Sequence, residues 1–301
     1  MNTLRLNSPA KLNLVLNVLG KRPDGFHDLR TIFERIDLHD TITLKKTAGK
    51  ISIRCNNPQV PKGPKNLAYQ VAQILQRDFH LAHGVEITIH KRIPVAAGLA
   101  GGSSNAAAVL QGLNRLWNLK LPQKQLIEYA AKVGSDVAFF LYDTPYALGE
   151  GRGDQISKIP IKTKLWHVLV TPRVKIYTRN VFACLAGPSR RWLAEADRRA
   201  AVNLKLTRKR DDVNILLPFL RGNNLYSIGS HLRNDLEPAI LSLKPHWGPL
   251  KSKLLDAGAV AVCFSGSGPS IFGLAKSQKH AQAIRARFDK RFTKVFVVST
   301  Y

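Results

Sequence analysis

The chain is poor in cysteine and poor in acid. Its 301 residues hold only Cys55, Cys184 and Cys263, far apart and in no Cys-x-x-Cys spacing, which argues against a disulfide framework and against a zinc site. No stretch reaches the roughly 18 uninterrupted apolar residues of a membrane helix, and Met1 to Ala10 lacks the apolar run of a signal peptide. The expectation is a soluble, untargeted protein of the reducing cytoplasm with no membrane partner. Neither a Gly-Lys-Ser/Thr Walker loop nor a Gly-x-Gly-x-x-Gly dinucleotide fingerprint occurs, and no internal repeat or low-complexity linker interrupts the chain. Acids number 20 against 46 Lys plus Arg, a net charge of +26. Such an excess points to something anionic, whether nucleic acid, anionic membrane or phosphorylated substrate, or reflects only adaptation to an unusual cell interior, and it bears on encounter and solubility rather than on fold.

What is present is enough for a packed core. Hydrophobic residues make up 45% of the chain and aromatics 8%, the balance of a globular protein. The length suggests two lobes or one large domain, and a change of pattern near residue 160 divides the chain into expected lobes of 1–160 and 161–301.

Leu12, Leu14, Leu16 and Val18 alternate with other residues, as do Ile36, Leu38, Ile42 and Leu44, then Ile51 and Ile53. These read as strands of an antiparallel start, the first two separated by the turn formers Pro23, Asp24 and Gly25. Leu67, Val71, Ile74 and Leu75 predict a helix over residues 66–79, and Val85, Ile87 and Ile89 a strand. Helices are expected at 106–117 and 126–133, and strands at 168–170, 259–264, 271–274 and 295–298. Without strict βαβ alternation the pattern argues an α+β fold with mixed or antiparallel sheets. Arg190, Arg191, Arg198, Arg199 and Lys205 to Arg210 crowd base into one region, read as a solvated helical surface.

The chemistry gathers around Pro94 to Ser104. Gly98, Gly101 and Gly102 let backbone amides approach an anion, and the helix that follows points its positive end the same way. Ser103 and Ser104 are candidates to cap that helix and to offer hydroxyls to phosphate or magnesium. A turn of small residues is more often merely structural, so partners decide the reading. Lys11 and Asn13 lie in an otherwise apolar strand, where a charge is costly unless something meets it; an edge lysine reaching solvent is the plain alternative. Asp136 precedes the apolar run Ala138 to Leu141, either as an N-cap or as a carboxylate that accepts a hydroxyl proton beside Lys11. Ser265 to Ser270 forms a second glycine turn, either a support for the first or an ordinary hairpin connection.

Four stretches, SPAKLNLVLNVLGKRPDGFHDL (8–29), IPVAAGLAGGSSNAAAVLQGLN (93–114), GSDVAFFL (134–141) and SGSGPSIFG (265–273), together resemble the GHMP kinase superfamily. The segment Arg22 to His27 resembles the branch whose acceptor is cytidine-diphosphate-linked methylerythritol. That resemblance covers residues 8 to about 157 and the last third of the chain well, and 183–232 weakly. It implies a two-lobed kinase that transfers the γ-phosphoryl of ATP, with Mg2+, to the acceptor's 2-hydroxyl in isoprenoid precursor synthesis. It places Lys11 and Asp136 on the catalytic pair, and Pro94, Val95, Ala96, Ala97, Gly98, Leu99, Ala100, Gly101, Gly102, Ser103 and Ser104 on the ATP loop. It also puts Asn66 near adenine, and Asn13, Phe26, His27, Thr178 and Phe182 around the cytidine end, with Phe26 and Phe182 flanking the base.

The chain departs from the family pattern in three places. Ala96 and Ala100 stand where glycine is common, which is tolerable where φ is negative. Phe26 stands where tyrosine is common, and Tyr142 to Glu150 lacks a glycine pair. Two rival readings remain: a GHMP kinase acting on another alcohol, against which Phe26 and His27 argue, and a basic RNA-binding protein using Arg190 to Arg210. That segment has only Trp192 as a nearby aromatic, so weak, salt-sensitive adhesion to nucleic acid is expected in place of specific recognition.

Overall fold

A computed structural model describes residues 2–172, 174, 176–185, 212–288 and 293–301. The basic cluster Arg190 to Arg210, with Trp192, lies outside the described residues.

The amino-terminal half is built on one long hairpin. Strand β1 (Thr3–Lys21) turns at Pro23 to Gly25 and returns as β2 (His27–Thr47), paired antiparallel along nearly its whole length. Gly25, at φ 85°, takes the left-handed step that closes this turn. Strand β3 (Ile51–Cys55) leads through helix α1 (Leu67–Asp78) to β4 (Gly84–His90), which pairs with β2. The first three strands alternate in direction, as expected of an antiparallel start, and β3 lies parallel to β4, because the helix carries the chain back to the same end before the next strand begins.

Helix α2 (Gly101–Leu116), α3 (Gln123–Val133) and a 3-10 turn over Ser135–Leu141 follow. Strands β5 (Tyr146–Gly151) and β6 (Gln155–Ile159) extend the sheet from the free half of β2. Apolar residues of α2, Ala106, Val109, Leu110 and Leu113, pack on Ile42, Leu44, Ile87 and Ile89.

The second sheet has the order β11–β7–β10–β9, all antiparallel, from β7 (Trp166–Pro172), β9 (Ala261–Phe264), β10 (Ile271–Ala275) and β11 (Thr293–Ser299). Around it lie helices α4 (Thr178–Leu185), α5 (Asp212–Arg221), α6 (Leu225–Ser230), α7 (Glu237–Leu243), α8 (Gly248–Asp256) and α9 (Gln278–Ala286). A two-residue strand, β8 (Arg233–Asn234), returns to the first sheet and pairs parallel with β1 at Val15 and Leu16. Leu12, Leu14, Ile32 and Ile36 on the hairpin share a core with Leu169 and Phe272 of the second sheet. Strand β1 is therefore buried on both faces from Ser8 to Val18, and any polar residue there must be satisfied by protein or ligand.

Candidate active site

Segments from distant parts of the chain meet at a cleft of about 490 Å³. Lys11 and Asn13 on β1 and Thr31 and Phe33 on β2 form its floor; Pro94 to Gly102 form one wall; Ser135, Asp136 and Gly153 form another; Gly266, Ser267 and Gly268 close it beside Tyr177, Thr178 and Phe182. Its size suits a nucleotide-sized ligand.

Lys11 is 4% exposed, so the solvent-reaching alternative falls. Its ammonium donates to Asn13 Oδ1 at 2.5 Å, stands 4.0 Å from Asp136 Oδ2 and lies 5.4 Å from the Phe33 ring centre. Asn13 in turn donates to Thr31 Oγ1 at 2.8 Å, which donates to the Val15 carbonyl at 2.6 Å. The chain of bonds leaves the asparagine oxygen committed to the lysine. Burial depresses the Lys11 pKa below 10.5, and the Asp136 charge partly restores it.

Asp136 does not cap a helix. The cap position is Gly134, and Asp136 sits inside the first turn of the 3-10 segment with its side chain one-third exposed toward the cleft. The apolar residues that follow, Val137 to Leu141, anchor the turn in the core. A rigid base thus carries a solvent-accessible carboxylate.

The glycine loop is tied on three sides. The Lys11 amide donates to the Leu99 carbonyl at 3.2 Å, and the Ser270 amide to the Ala97 carbonyl at 3.3 Å. Ser265 Oγ donates to the Gly98 carbonyl at 3.2 Å. The second glycine turn therefore supports the first, and it is held in turn by Asn234 Nδ2 of β8, which donates to the carbonyl of Phe264 at the end of β9 at 3.0 Å and to that of Gly266 in the turn at 2.7 Å. Gly98 has φ 75°, and a side chain on it would stand 2.3 Å from the Ser265 carbonyl oxygen.

Ala96 and Ala100 have φ 55° and 51°, both left-handed, so the condition under which alanine sits there without strain, a negative φ, is not met. Each costs roughly 1–2 kcal/mol relative to a right-handed conformation. The left-handed steps at Ala96, Gly98 and Ala100 give the loop its curl.

The serines also differ from expectation. The helix cap is Ala100, without a side-chain bond, and Ser103 and Ser104 fall in the first turn of α2. Ser104 is fully buried, its oxygen accepting from Ser8 Oγ at 2.8 Å, and neither serine lines the cleft.

Asn66 is the N-cap of α1: its oxygen accepts from the Ala68 amide at 2.9 Å and its amide donates to the Pro61 carbonyl at 2.7 Å. Both polar ends are used within the protein, yet the residue lines the cleft with Val60, Pro61 and Leu67, an apolar end beside the phosphate loop.

The acceptor end differs in detail from expectation. Phe182 lines the cleft, but its ring rests on His27, centres 5.0 Å apart, rather than opposite Phe26. Phe26 is 55% exposed at the hairpin tip, under the guanidinium of Arg152 at 5.1 Å. Neither Phe26 nor His27 touches the cleft itself. Burial, with help from Lys21, lowers the His27 pKa, which favours the neutral ring. Thr178 Oγ1 meets Ser267 Oγ at 2.8 Å and joins this end to the second glycine turn.

Asp40, Lys91, Asn105 and Ser8 escape a reading of motifs, although they form a buried polar cluster under the loop. A signal existed: Asp40 falls in phase with Ile42 and Leu44, on the inward face of β2, where a carboxylate must have partners.

Comparison with known proteins sets this geometry in a class. The GHMP kinases N terminal domain matches residues 66–144 and the GHMP kinases C terminal family matches 216–294. Curated relatives named 4-diphosphocytidyl-2-C-methyl-D-erythritol kinase align over most of the chain. The protein of Syntrophomonas wolfei is 36% identical over 98% of both chains. That of Gloeobacter violaceus is 41% identical over 95% of this chain and 90% of its own, and that of Bacillus anthracis 41% over 90% and 88%. The chain belongs to the 4-diphosphocytidyl-2-C-methyl-D-erythritol kinase family of the GHMP kinases.

A crystal structure of a 4-(cytidine 5'-diphospho)-2C-methyl-D-erythritol kinase superposes with TM-score 0.79 at 27% identity over 98% of both chains. A homoserine kinase from Cytophaga hutchinsonii, at TM-score 0.73 and 23% identity over 100% of this chain and 95% of its own, shares the fold.

Proposed function

We propose that the cleft binds ATP along Pro94 to Gly102 and passes its γ-phosphoryl group to the 2-hydroxyl of 4-diphosphocytidyl-2-C-methyl-D-erythritol, giving the 2-phosphate and ADP. The observation that carries this reading is the placement of Lys11 and Asp136, 4.0 Å apart, in the cleft lined by the glycine loop. Phosphoryl transfer asks for alignment and charge stabilisation more than for covalent chemistry. The loop amides and the start of α2 face the phosphates. Asp136 accepts the hydroxyl proton, and the Lys11 ammonium, held by Asn13, orients that carboxylate and steadies the charge that builds on the transferring group. Val60, Pro61, Asn66 and Leu67 house the adenine. His27, Phe182 and Thr178 take the cytidine, with Phe26 closing over it from the hairpin tip; a neutral His27 ring offers one donor and one acceptor to the base edge.

Mg2+ would neutralise charge on the β- and γ-phosphate oxygens. Among the described residues, Asp136 is the one acid lining the cleft, and no group of three or more His, Cys, Asp or Glu suited to a metal exists. These residues fit an ion that arrives on the nucleotide and is held chiefly by phosphate and water.

A cysteine content of three, in no Cys-x-x-Cys spacing, suits a reducing cytoplasm, and no helix among the described residues is long and apolar enough to cross a membrane.

The decisive assay is turnover of the cytidine-linked alcohol with ATP and Mg2+, in parallel with homoserine and mevalonate. Asp136→Asn is expected to lower kcat by about 10²–10⁴ with nucleotide affinity kept, the range of a lost general base. Lys11→Ala is expected to lower it by about 10²–10³. Unchanged turnover in Asp136→Asn would remove the base role, and preference for another alcohol would overturn the acceptor.

A further inference from the structure

We infer that Asp40, which lies outside the cleft, is a positioning residue for the nucleotide: one buried carboxylate clamps both ends of the phosphate loop. This rests on the reading of Pro94 to Gly102 as the ATP site. Asp40 is 0% exposed and is not among the residues lining the cleft. Its Oδ1 accepts from the amides of Arg92 and Ile93 at 2.7 and 2.9 Å, the two residues that lead into the loop. Its Oδ2 accepts from Asn105 Nδ2 at 2.9 Å, in the turn of α2 that follows the loop, and from the Lys91 ammonium. Asn105 Nδ2 also donates to Ser8 Oγ at 2.8 Å, and Ser8 Oγ donates to Ser104 Oγ at 2.8 Å, which fastens the same turn to β1.

The span between the two clamped ends contains three left-handed residues, Ala96, Gly98 and Ala100. Strained residues persist only where their surroundings over-determine them. If either end drifts, the alanines relax toward negative φ and the amides turn away from the phosphates. A carboxylate suits the task because charge-assisted bonds are short and strong, and Lys91 beneath Gly101 balances its charge, a Cβ there standing 3.0 Å from the Lys91 nitrogen.

Asparagine at position 40 would supply one acceptor oxygen for two clamps. Its amide nitrogen would face the donors at the other end, whichever way it turned. Asp40→Asn is therefore expected to raise the KM for ATP by about tenfold or more, the effect of a charge-assisted bond lost. The acceptor KM should stay within about twofold of wild type, because no bond of Asp40 reaches that end of the cleft.

The test begins with ADP titration of the wild type, then measures both KM values and the thermal midpoint of Asp40→Asn. A wild type that binds no adenine nucleotide refutes the reading of the loop itself. Wild-type ADP binding with an unmoved ATP KM in folded Asp40→Asn refutes only the clamp. Parallel rises in both KM values also overturn it, since a purely structural defect would not single out the nucleotide. If Asp40→Asn does not fold, Lys91→Met is compared with Lys91→Met/Asp40→Asn, in which no ammonium faces the new amide. An ATP KM higher in the double variant supports the clamp, and equal values refute it.

Discussion

Burial makes Lys11 easier to deprotonate than a free lysine, and the consequences run in opposite directions for folding and for catalysis. Its pKa is lowered from 10.5 chiefly by desolvation. Between the lowered value and 10.5 the unfolded chain binds the extra proton, so stability attributable to this residue rises with pH across that window. Activity moves the other way, because the ammonium is lost there. The expected record is a kcat/KM profile whose alkaline limb begins below pH 10.5 while the urea midpoint does not fall through Lys11; a profile flat to pH 10.5 contradicts the assignment.

Ala96 and Ala100 offer a second residue-scale test. Glycine at either site would relieve roughly 1–2 kcal/mol of left-handed strain and forfeit about 0.4–1 kcal/mol through a freer unfolded chain. A net gain of about 0.5–1 kcal/mol per site in urea denaturation is expected, and a loss would mean the curl is less strained than its φ values imply.

At the scale of elements, the glycine loop is one half of a pair. Gly98 meets the carbonyls of Ser265 and Gly268, where a Cβ would stand at 2.3 and 2.9 Å, both of them backbone. Gly98→Ala must push the two turns apart, and a displacement near 1 Å in a phosphoryl-transfer site costs about 10² in rate. A fall of that order in kcat/KM with native circular dichroism is expected. Gly63→Ala, with nothing within 4 Å of the added carbon, should leave it unchanged.

The loop, α2 and the strands holding Lys11 were legible in the sequence because small residues, alternation and a helical apolar stripe are local signals. The parallel pairing of β3 with β4 and the two-residue β8 were not, since each depends on what a distant segment does. Asn66 as a cap and Asp136 as a non-cap show the same limit: cap geometry depends on where the turn begins.

For the whole molecule, the net charge of +26 and two anionic substrates make association sensitive to salt. Raising ionic strength from about 0.01 to about 0.1 M shortens the screening length from about 30 to about 10 Å. kcat/KM for ATP and for the acceptor should fall across that range while kcat holds, because steering acts on encounter. Weak retention on a nucleic-acid column, lost over the same range, is expected as a by-product of the same charge. Salt-independent kcat/KM would show that the positive field does not reach the cleft.

The sequence alone determined the α+β class and the candidacy of the glycine loop, Lys11 and Asp136. These depend on composition, local periodicity and motif order. Tertiary structure decided which alternatives hold. Burying β1 on both faces removed solvent from Lys11. The Ser265 to Ser270 turn proved to be a brace once β9 and β10 brought it against Gly98. Ser104 turned inward because α2 lies on β1, and Asp40 acquired four donors because β2 runs under the loop. Each depends on atoms far apart in the chain meeting within hydrogen-bond distance, which no local pattern encodes.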